Sequence, residues 1–525
     1  MSDKSAIPIN QASEGSRFDI PAQPKSLAMI QSRTVIGVTA VPVIVEVHLA
    51  NGLPNFSTVG LPEAAVKESK DRVRGAIINS GFDFPAKRIT VNLAPADVPK
   101  TGGRFDLPIA LGILVASGQL VGARLHDIEA AGELALDGQL RRIKGVLPTA
   151  LACGDASRSL IIPSDNAGEA AIAEQTSCFA AAHLLDVCRH LTGHGELALC
   201  PHIGEAVDKR EPYPDLRDVK GQHRAKRALQ IAASGGHSIL FIGPPGTGKS
   251  MLAARLPGLL PDLTQQEALE SAAIYSVADG EFNAKNWRRR PFRAPHHSAS
   301  AVALVGGGSY PRPGEISLAH QGILFLDELT EFSRSALEQL REPLETGKIN
   351  IARANQSVQF PANFQLVTAC NPCPCGYLGD GTERCHCSQT KIEAYTAKLS
   401  GPMLDRIDMH LHLPRVDIKT LQSSDISGEK SSVIQARSAQ LRQVQLSRQG
   451  KLNSQLSADI VSKICALEQL ELDFLVRACE KFNMSARAYH RILKLARTIA
   501  DLEECEAVKQ RHLSEAISFR ALDRF

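Results

Sequence analysis

A chain of 525 residues with 43% hydrophobic content predicts about two to four domains and enough apolar matter for several cores. Its net charge of +3 is too mild for a wholly basic nucleic-acid binder, so any basic surface must be local. No apolar run approaches the ~20 residues that span a bilayer, and Met1-Ser-Asp-Lys-Ser-Ala lacks an apolar signal core, so a cytoplasmic protein with no membrane attachment is expected.

Residues 1–32 are rich in Gln, Ser and Pro without an apolar period and read as a mobile arm. From 33 to 200, β-rich runs such as Val43-Ile-Val-Glu-Val-His-Leu and Arg88-Ile-Thr-Val-Asn-Leu alternate with helical stretches beginning near Asp106 and Leu147, which predicts a separate α/β domain. A polar linker over 201–216, with Lys209-Arg-Glu-Pro-Tyr-Pro-Asp215, leads to a nucleotide-binding α/β unit over 217–415. A loop-like linker over 416–432 follows. Leu and Ala at threes and fours then predict an all-helical lid over 433–525.

The most telling local pattern lies in the second unit. Gly243, Pro244, Pro245, Gly246, Thr247, Gly248, Lys249 and Ser250 fit G-x-x-x-x-G-K-[ST] behind the apolar run Ser238-Ile-Leu-Phe-Ile242 and ahead of a helix opening at Met251. Backbone amides can close around phosphate oxygens only where no Cβ intrudes, and the helix that follows aims its positive end at them. The pattern predicts ATP binding, with Lys249 reaching the outer phosphates and Ser250 ligating Mg²⁺. A second apolar strand, Gly322-Ile-Leu-Phe-Leu, ends in Asp327 and Glu328. Asp327 is expected to hold the Mg²⁺ hydration shell and Glu328 to polarise the attacking water. A third, Phe364-Gln-Leu-Val-Thr368, leads to Asn371, where hydrolysing ATPases of the AAA+ type place a polar residue against the γ-phosphate.

Twelve cysteines in a chain expected to be cytoplasmic read as thiols or metal ligands. Cys373 and Cys375, then Cys385 and Cys387, form two C-x-C pairs around a Gly-rich loop within 370–388, and four thiolates can close a tetrahedral zinc site that substitutes for a core. A redox-reactive loop without metal is the alternative. Cys370, at the strand end, reads as a packing thiol. His386, between two ligands, is expected to point away, and adjacent His296 and His297 are assigned to opposite faces of an extended segment.

Elements in this order resemble the ComM/YifB family of magnesium-chelatase-like AAA+ proteins over nearly everything after residue 30. The resemblance is carried by Asp218-Val-Lys-Gly-Gln222, Arg293-Ala-Pro-His-His-Ser-Ala-Ser, Gly314-Glu-Ile-Ser-Leu-Ala-His320, the Cys-rich insert, Leu404-Asp405-Arg406-Ile407-Asp408 and Ser485-Ala-Arg487. It implies that Arg406 is an arginine finger offered to a neighbour's nucleotide, that Arg487 is the lid arginine called sensor 2, and that the active form is a homo-hexamer. It also implies a pore hairpin over 346–360, with Arg353 at the tip and Lys348 assisting on the DNA backbone. The Arg288-Arg-Arg-Pro-Phe-Arg293 block either adds contacts or is solvated charge.

By the same resemblance the first domain is similar to the Lon-protease fold. Thr101-Gly-Gly-Arg-Phe-Asp carries no Ser where that fold places its nucleophile, and Leu147 stands where its Lys would fall, with Lys144 three positions away. Without hydroxyl and amine there is no acyl transfer, so an inert collar is expected. The implied function is a DNA helicase for branch migration in natural transformation, acting with recombination proteins. The alternative is a chelatase-like protein-remodelling or metal-insertion motor.

Overall fold

Alternating inward and outward side chains begin at Leu27, ahead of the expected boundary at 33. The computed structural model describes the chain apart from residues 1–25, 64–65, 67, 202–211, 279–285, 309–310, 354–355, 400, 423–427 and 521–525. Strand β1 (Leu27–Ile36) pairs antiparallel with β2 (Thr39–Ala50) along its length, from Leu27↔His48 to Ile36↔Thr39. Residues 27–32 therefore belong to the sheet and not to the arm assigned to 1–32. Their signal is a two-residue period that buries Ala28 and Ile30, too brief to stand out as an apolar run. Ser26 O accepts the Leu49 N–H at 2.8 Å just ahead of β1, and residues 1–25 of that arm lie outside the described residues.

Strands β3 (Asn55–Val59), β4 (Arg88–Ala94), β5 (Ile128–Ala130), β6 (Ser159–Pro163), β7 (Cys178–Ala181) and β8 (Ala198–Leu199) complete an eight-stranded mixed sheet in the order β8-β7-β6-β5-β1-β2-β4-β3. Helix α1 (Asp106–Ala116) is apolar nearly all round and is buried accordingly against β1 and β2. Gly112 permits the close approach, because a Cβ there would lie 2.5 Å from Val47. Helix α2 (Val146–Asp155) carries Leu147 into a core shared with Leu263, Ala268, Ala272 and Trp287 of the next unit. Glu169 closes this seam by accepting the Leu147 N–H at 2.9 Å and the Ser276 hydroxyl.

The second unit opens with α3 (His223–Gly235), β9 (Ile239–Ile242), α4 (Lys249–Ala253) and α5 (Gln265–Val277), the last started by a Thr264–Glu267 capping box. It continues through β10 (Phe292–Arg293), β11 (Ile323–Leu326), α6 (Arg341–Thr346), the antiparallel hairpin β12 (Lys348–Arg353) and β13 (Gln356–Pro361), β14 (Gln365–Cys370) and β15 (Met409–His412). The five-stranded sheet β10-β11-β14-β9-β15 is parallel throughout. Strands covered on both faces must be nearly continuously apolar, which is how β9 and β11 read, while β14 buries Gln365 and Thr368 by bonding them to backbone carbonyls. Ile242↔Cys370 and Leu326↔Thr368 register brings their carboxyl ends to one edge.

The hairpin buries one face. Ile349, Ile351, Val358 and Phe360 join a core against which Ile36 and Val38, at the β1–β2 turn of the first domain, also pack. Gly37 holds φ +60° in that turn and a Cβ there would lie 2.7 Å from Val358.

From α7 (Ser431–Gln449) onward the described elements are helices and short helical turns, including α8 (Ala486–Leu502), apart from an isolated bridge of Arg520 to His410. The span 416–432, expected to be a linker, contains the helical segment Ile418–Gln422 and the start of α7. There Asp215 accepts the Ser431 N–H at 3.0 Å, so α7 is tied to the beginning of the nucleotide unit.

Asp408 joins sheet and lid. Burial opposes its charge, yet Arg491 of α8 and His237, at 3.2 Å, hold its carboxyl far below the ordinary value. A carboxyl depressed in the folded state contributes stability that is present above its unfolded value, 3.8, and is lost as pH falls towards the folded one. Asp408→Asn is therefore expected to cost about 3–5 kcal/mol near pH 7, because it strands Arg491. The gap from the parent should begin to narrow below about pH 4 and go on narrowing as pH falls, in denaturant unfolding followed against pH.

Candidate nucleotide-binding site

Three neighbouring strands deliver the site, because the residues that follow a parallel strand leave the sheet at its carboxyl edge. After β9, the loop 243–248 turns through Gly246 and Gly248 at φ +79° and +86°, conformations that disfavour any residue with a Cβ. The Gly243 N–H donates to Cys370 O at 3.2 Å, pinning the loop to the end of β14, and a Cβ on Gly243 would lie 2.7 Å from Leu413 O. Thr247 is buried and donates to Pro244 O at 2.9 Å. Gln222, itself at φ +50°, reaches Thr247 O at 3.2 Å and Pro414 O at 2.9 Å. The string around Gln222 is thus a clasp on the loop. Met251 is partly exposed just behind it.

Lys249 Nζ donates to Gly243 O at 2.6 Å, Pro244 O at 3.1 Å and Asn371 Oδ1 at 3.1 Å. Burial lowers its affinity for the proton, while Asp327 and Glu328 act the other way. Ser250 Oγ donates to Asp327 Oδ2 at 2.6 Å, and Asp327 Oδ1 accepts the Glu328 N–H at 2.9 Å. The adjacent Lys249 and Ser250 thus meet Asn371 and Asp327, which lie far from them in the chain, within direct bonding distance.

Glu328 stands beside them at φ +51°, exposed, with Oε2 at 3.0 Å from His297 Nδ1. Opposite faces were expected for His296 and His297, but their rings lie 4.1 Å apart. Alternation holds only for extended backbone, and here Ala299 N–H closes a turn on His296 O at 2.9 Å. His297 is a site residue that sequence reasoning passed over; its only signal was membership of the Arg293-Ala-Pro-His-His string.

The four cysteines converge. The Sγ atoms of Cys373, Cys375, Cys385 and Cys387 all lie within 4.8 Å of one another, with Cys373 at 3.3 Å from Cys375 and 3.8 Å from Cys385, and Cys375 at 3.6 Å from Cys385. Tetrahedral bonds of ~2.3 Å place sulfurs ~3.8 Å apart, whereas a disulfide needs ~2.05 Å. The donor set and spacing fit Zn²⁺. His386 is exposed between its neighbours, and Cys370 is a buried thiol that burial pushes up to about 12. Gly376 within the insert approaches the phosphate loop closely enough that a Cβ would lie 3.0 Å from Pro245.

Arg406 and Arg487 gather elsewhere. Arg406 pairs with Glu345 and donates to Pro402 O at 2.8 Å, while exposed Arg487 lies 3.9 Å from Asp405. Among the described residues, neither guanidinium bonds to the phosphate loop. Lys348 and Arg353 begin and end β12, opposite Pro361 and Gln356. The tip residues 354–355 lie outside the described ones. Leu147 is fully buried in apolar surroundings. No helix among the described residues is long and apolar enough to cross a membrane.

Residues 215–421 match the family described as "Magnesium chelatase, subunit ChlI", 45–166 match "Subunit ChlI of Mg-chelatase", and 428–520 match "Magnesium chelatase, subunit ChlI C-terminal". The chain is 51% identical to Competence protein ComM of Haemophilus influenzae over 95% of its length and 98% of that protein's. It is 48% identical to Uncharacterized protein YifB of Escherichia coli over the same shares, 95% and 98%. The Magnesium-chelatase 38 kDa subunit of Cereibacter sphaeroides is 25% identical over 31% of this chain and 54% of that protein. Near-complete coverage at such identity, on a parallel sheet that assembles a phosphate loop, an acidic strand end and an asparagine, places the chain in the ComM/YifB family of magnesium-chelatase-like AAA+ ATPases.

Proposed function

We propose that the chain is one subunit of a hexameric, ATP-driven DNA motor that extends recombination joints by branch migration in natural transformation. The observation that carries this reading is the position of the β12–β13 hairpin. It is inserted between β11, which leads to Asp327 and Glu328, and β14, which leads to Asn371, so nucleotide chemistry on either side acts on its base. ATP lies against the loop Gly243–Ser250 and Met251, with Lys249 and Asn371 on its outer phosphates. Mg²⁺ suits the oxygen pair of Ser250 and Asp327, and Glu328 polarises water once freed from His297. Arg406 and Arg487 complete a neighbour's site, consistent with their bonding to Glu345, Pro402 and Asp405 and not, among the described residues, to the loop of their own chain. The cysteine cluster holds a structural zinc. The first domain serves as an inert, Lon-like collar that braces the hairpin through Gly37 and Val38; buried Leu147 offers no base.

The test is ATP turnover measured alone, with single strands, with duplex and with a three-stranded joint, each over a salt series. Turnover indifferent to every DNA would sink the motor reading. Arg353→Ala is expected to spare basal turnover, weaken DNA stimulation and flatten the salt dependence by about 0.7–0.9 in log–log slope for each phosphate left without its cation. Undiminished branch migration would remove Arg353 from the DNA path. A second reading, a motor that remodels a partner protein or inserts a metal, is favoured by the three chelatase-subunit matches. It predicts stimulation by a protein and none by DNA.

A further inference from the structure

Arg406, assigned above to a neighbour's nucleotide, occupies a specific seat within its own chain. One terminal nitrogen pairs with Glu345, the other donates to Pro402 O at 2.8 Å, and Nε is buried with no acceptor among the described residues. A seat that leaves one N–H unsatisfied holds the side chain in place without satisfying it, so a better partner can draw it out.

Glu345 sits on α6, and α6 is bonded directly to the hairpin. On a helix, residues three apart share a side, and three positions before Glu345 lies Glu342, whose carboxylate accepts Asn350 Nδ2 of β12 at 2.6 Å. Asn350 Oδ1 accepts Gln359 Nε2 of β13 at 2.9 Å, which carries the connection across both strands. Thr346 Oγ1 accepts the Lys348 N–H at 3.2 Å, and Gly347 O accepts the Ala362 N–H at 2.8 Å, so the helix end is joined to both hairpin legs. The Arg406–Glu345 pair is therefore a tether between the segment that carries the finger and the body that carries the hairpin.

We propose that Glu345 is a positioning residue: it parks Arg406 in the lone protomer, and the departure of Arg406 to the neighbouring γ-phosphate releases α6 and the hairpin to move. This rests on Arg406 acting in trans. Each ATP-bound interface then frees the hairpin of the subunit that donates its finger, which gives pore movement a fixed order relative to nucleotide state.

The test compares full-length Glu345→Gln, Glu345→Asp and Arg406→Ala with the parent. The readouts are amide exchange over 341–361 and ATP turnover with and without single-stranded DNA across an ATP series. Glu345→Gln is expected to speed exchange in α6 and at the hairpin base, to raise basal kcat about two- to fivefold, the span of one partly exposed ion pair, and to draw the DNA-stimulation ratio towards one. KM for ATP should stay put, and Glu345→Asp should restore much of the parent behaviour. Parent-like exchange and stimulation in Glu345→Gln, or a change in KM alone, overturns the proposal. Arg406→Ala separates the two failures. If it turns over ATP like the parent, the finger reading falls and the tether with it; if it is inactive while Glu345→Gln behaves as the parent, only the role of Glu345 is lost.

Discussion

Glu328→Gln is expected to bind ATP about as tightly as the parent yet hydrolyse it about 10²–10⁴-fold more slowly, the usual contribution of a positioned general base. The substitution keeps the size of the side chain and removes its negative charge and with it the ability to take a proton. It leaves the phosphate loop and the Ser250–Asp327 bond at 2.6 Å intact. Lys249→Ala should fail earlier, at binding. Its ammonium makes three bonds, to Gly243 O, Pro244 O and Asn371 Oδ1, and so ties the loop to the residue that follows β14. Loss of a charged hydrogen-bonding group costs about 1.5–3 kcal/mol, so affinity should drop about 10- to 150-fold. Titration with a fluorescent ATP analogue and phosphate release together separate the two outcomes. Turnover within tenfold of the parent in Glu328→Gln would refute its role, and unchanged affinity in Lys249→Ala would refute the site.

Serine at Cys373, Cys375, Cys385 and Cys387 together should release one zinc per chain and unfold the insert. Structural zinc supplies about 10 kcal/mol or more of apparent binding free energy to a small site, and the insert has little else: Cys373 is the one buried member of the four, while much of 380–394 is exposed. The effect should travel. Gly376 rests against Pro245 and lies near Asn371, so a collapsed insert withdraws support from the phosphate loop and ATP affinity falls as well. Metal analysis, proteolysis between 373 and 388 and nucleotide titration check the three parts. A parent chain that purifies without metal under reducing conditions, or a tetraserine variant that keeps it, would end the zinc assignment.

Legibility followed locality. The loop 243–250, the carboxylates at the end of β11 and the paired cysteines are each written within a few residues, because phosphate cradling, strand burial and thiolate ligation impose spacing on adjacent positions. Strand β1 was missed for a related reason: over Leu27–Ile36 the alternation is short and is read securely only when β2 is seen beside it. His297 was assigned to the wrong face because a turn, which depends on context, replaced the extended backbone that the reading assumed.

From the chain alone came the α/β unit with its glycine-rich loop, the C-terminal helical region and the residues that gather beside that loop, since apolar periodicity and steric permission for glycine are properties of neighbouring residues. Tertiary structure alone decided that His297 meets Glu328, that Arg406 is seated on Glu345, that Asp408 joins sheet to lid, and that Gly37 of the first domain braces the hairpin. Those pairs are held by burial and charge acting across long sequence separations, where many partners are compatible with composition and only the packed fold selects one.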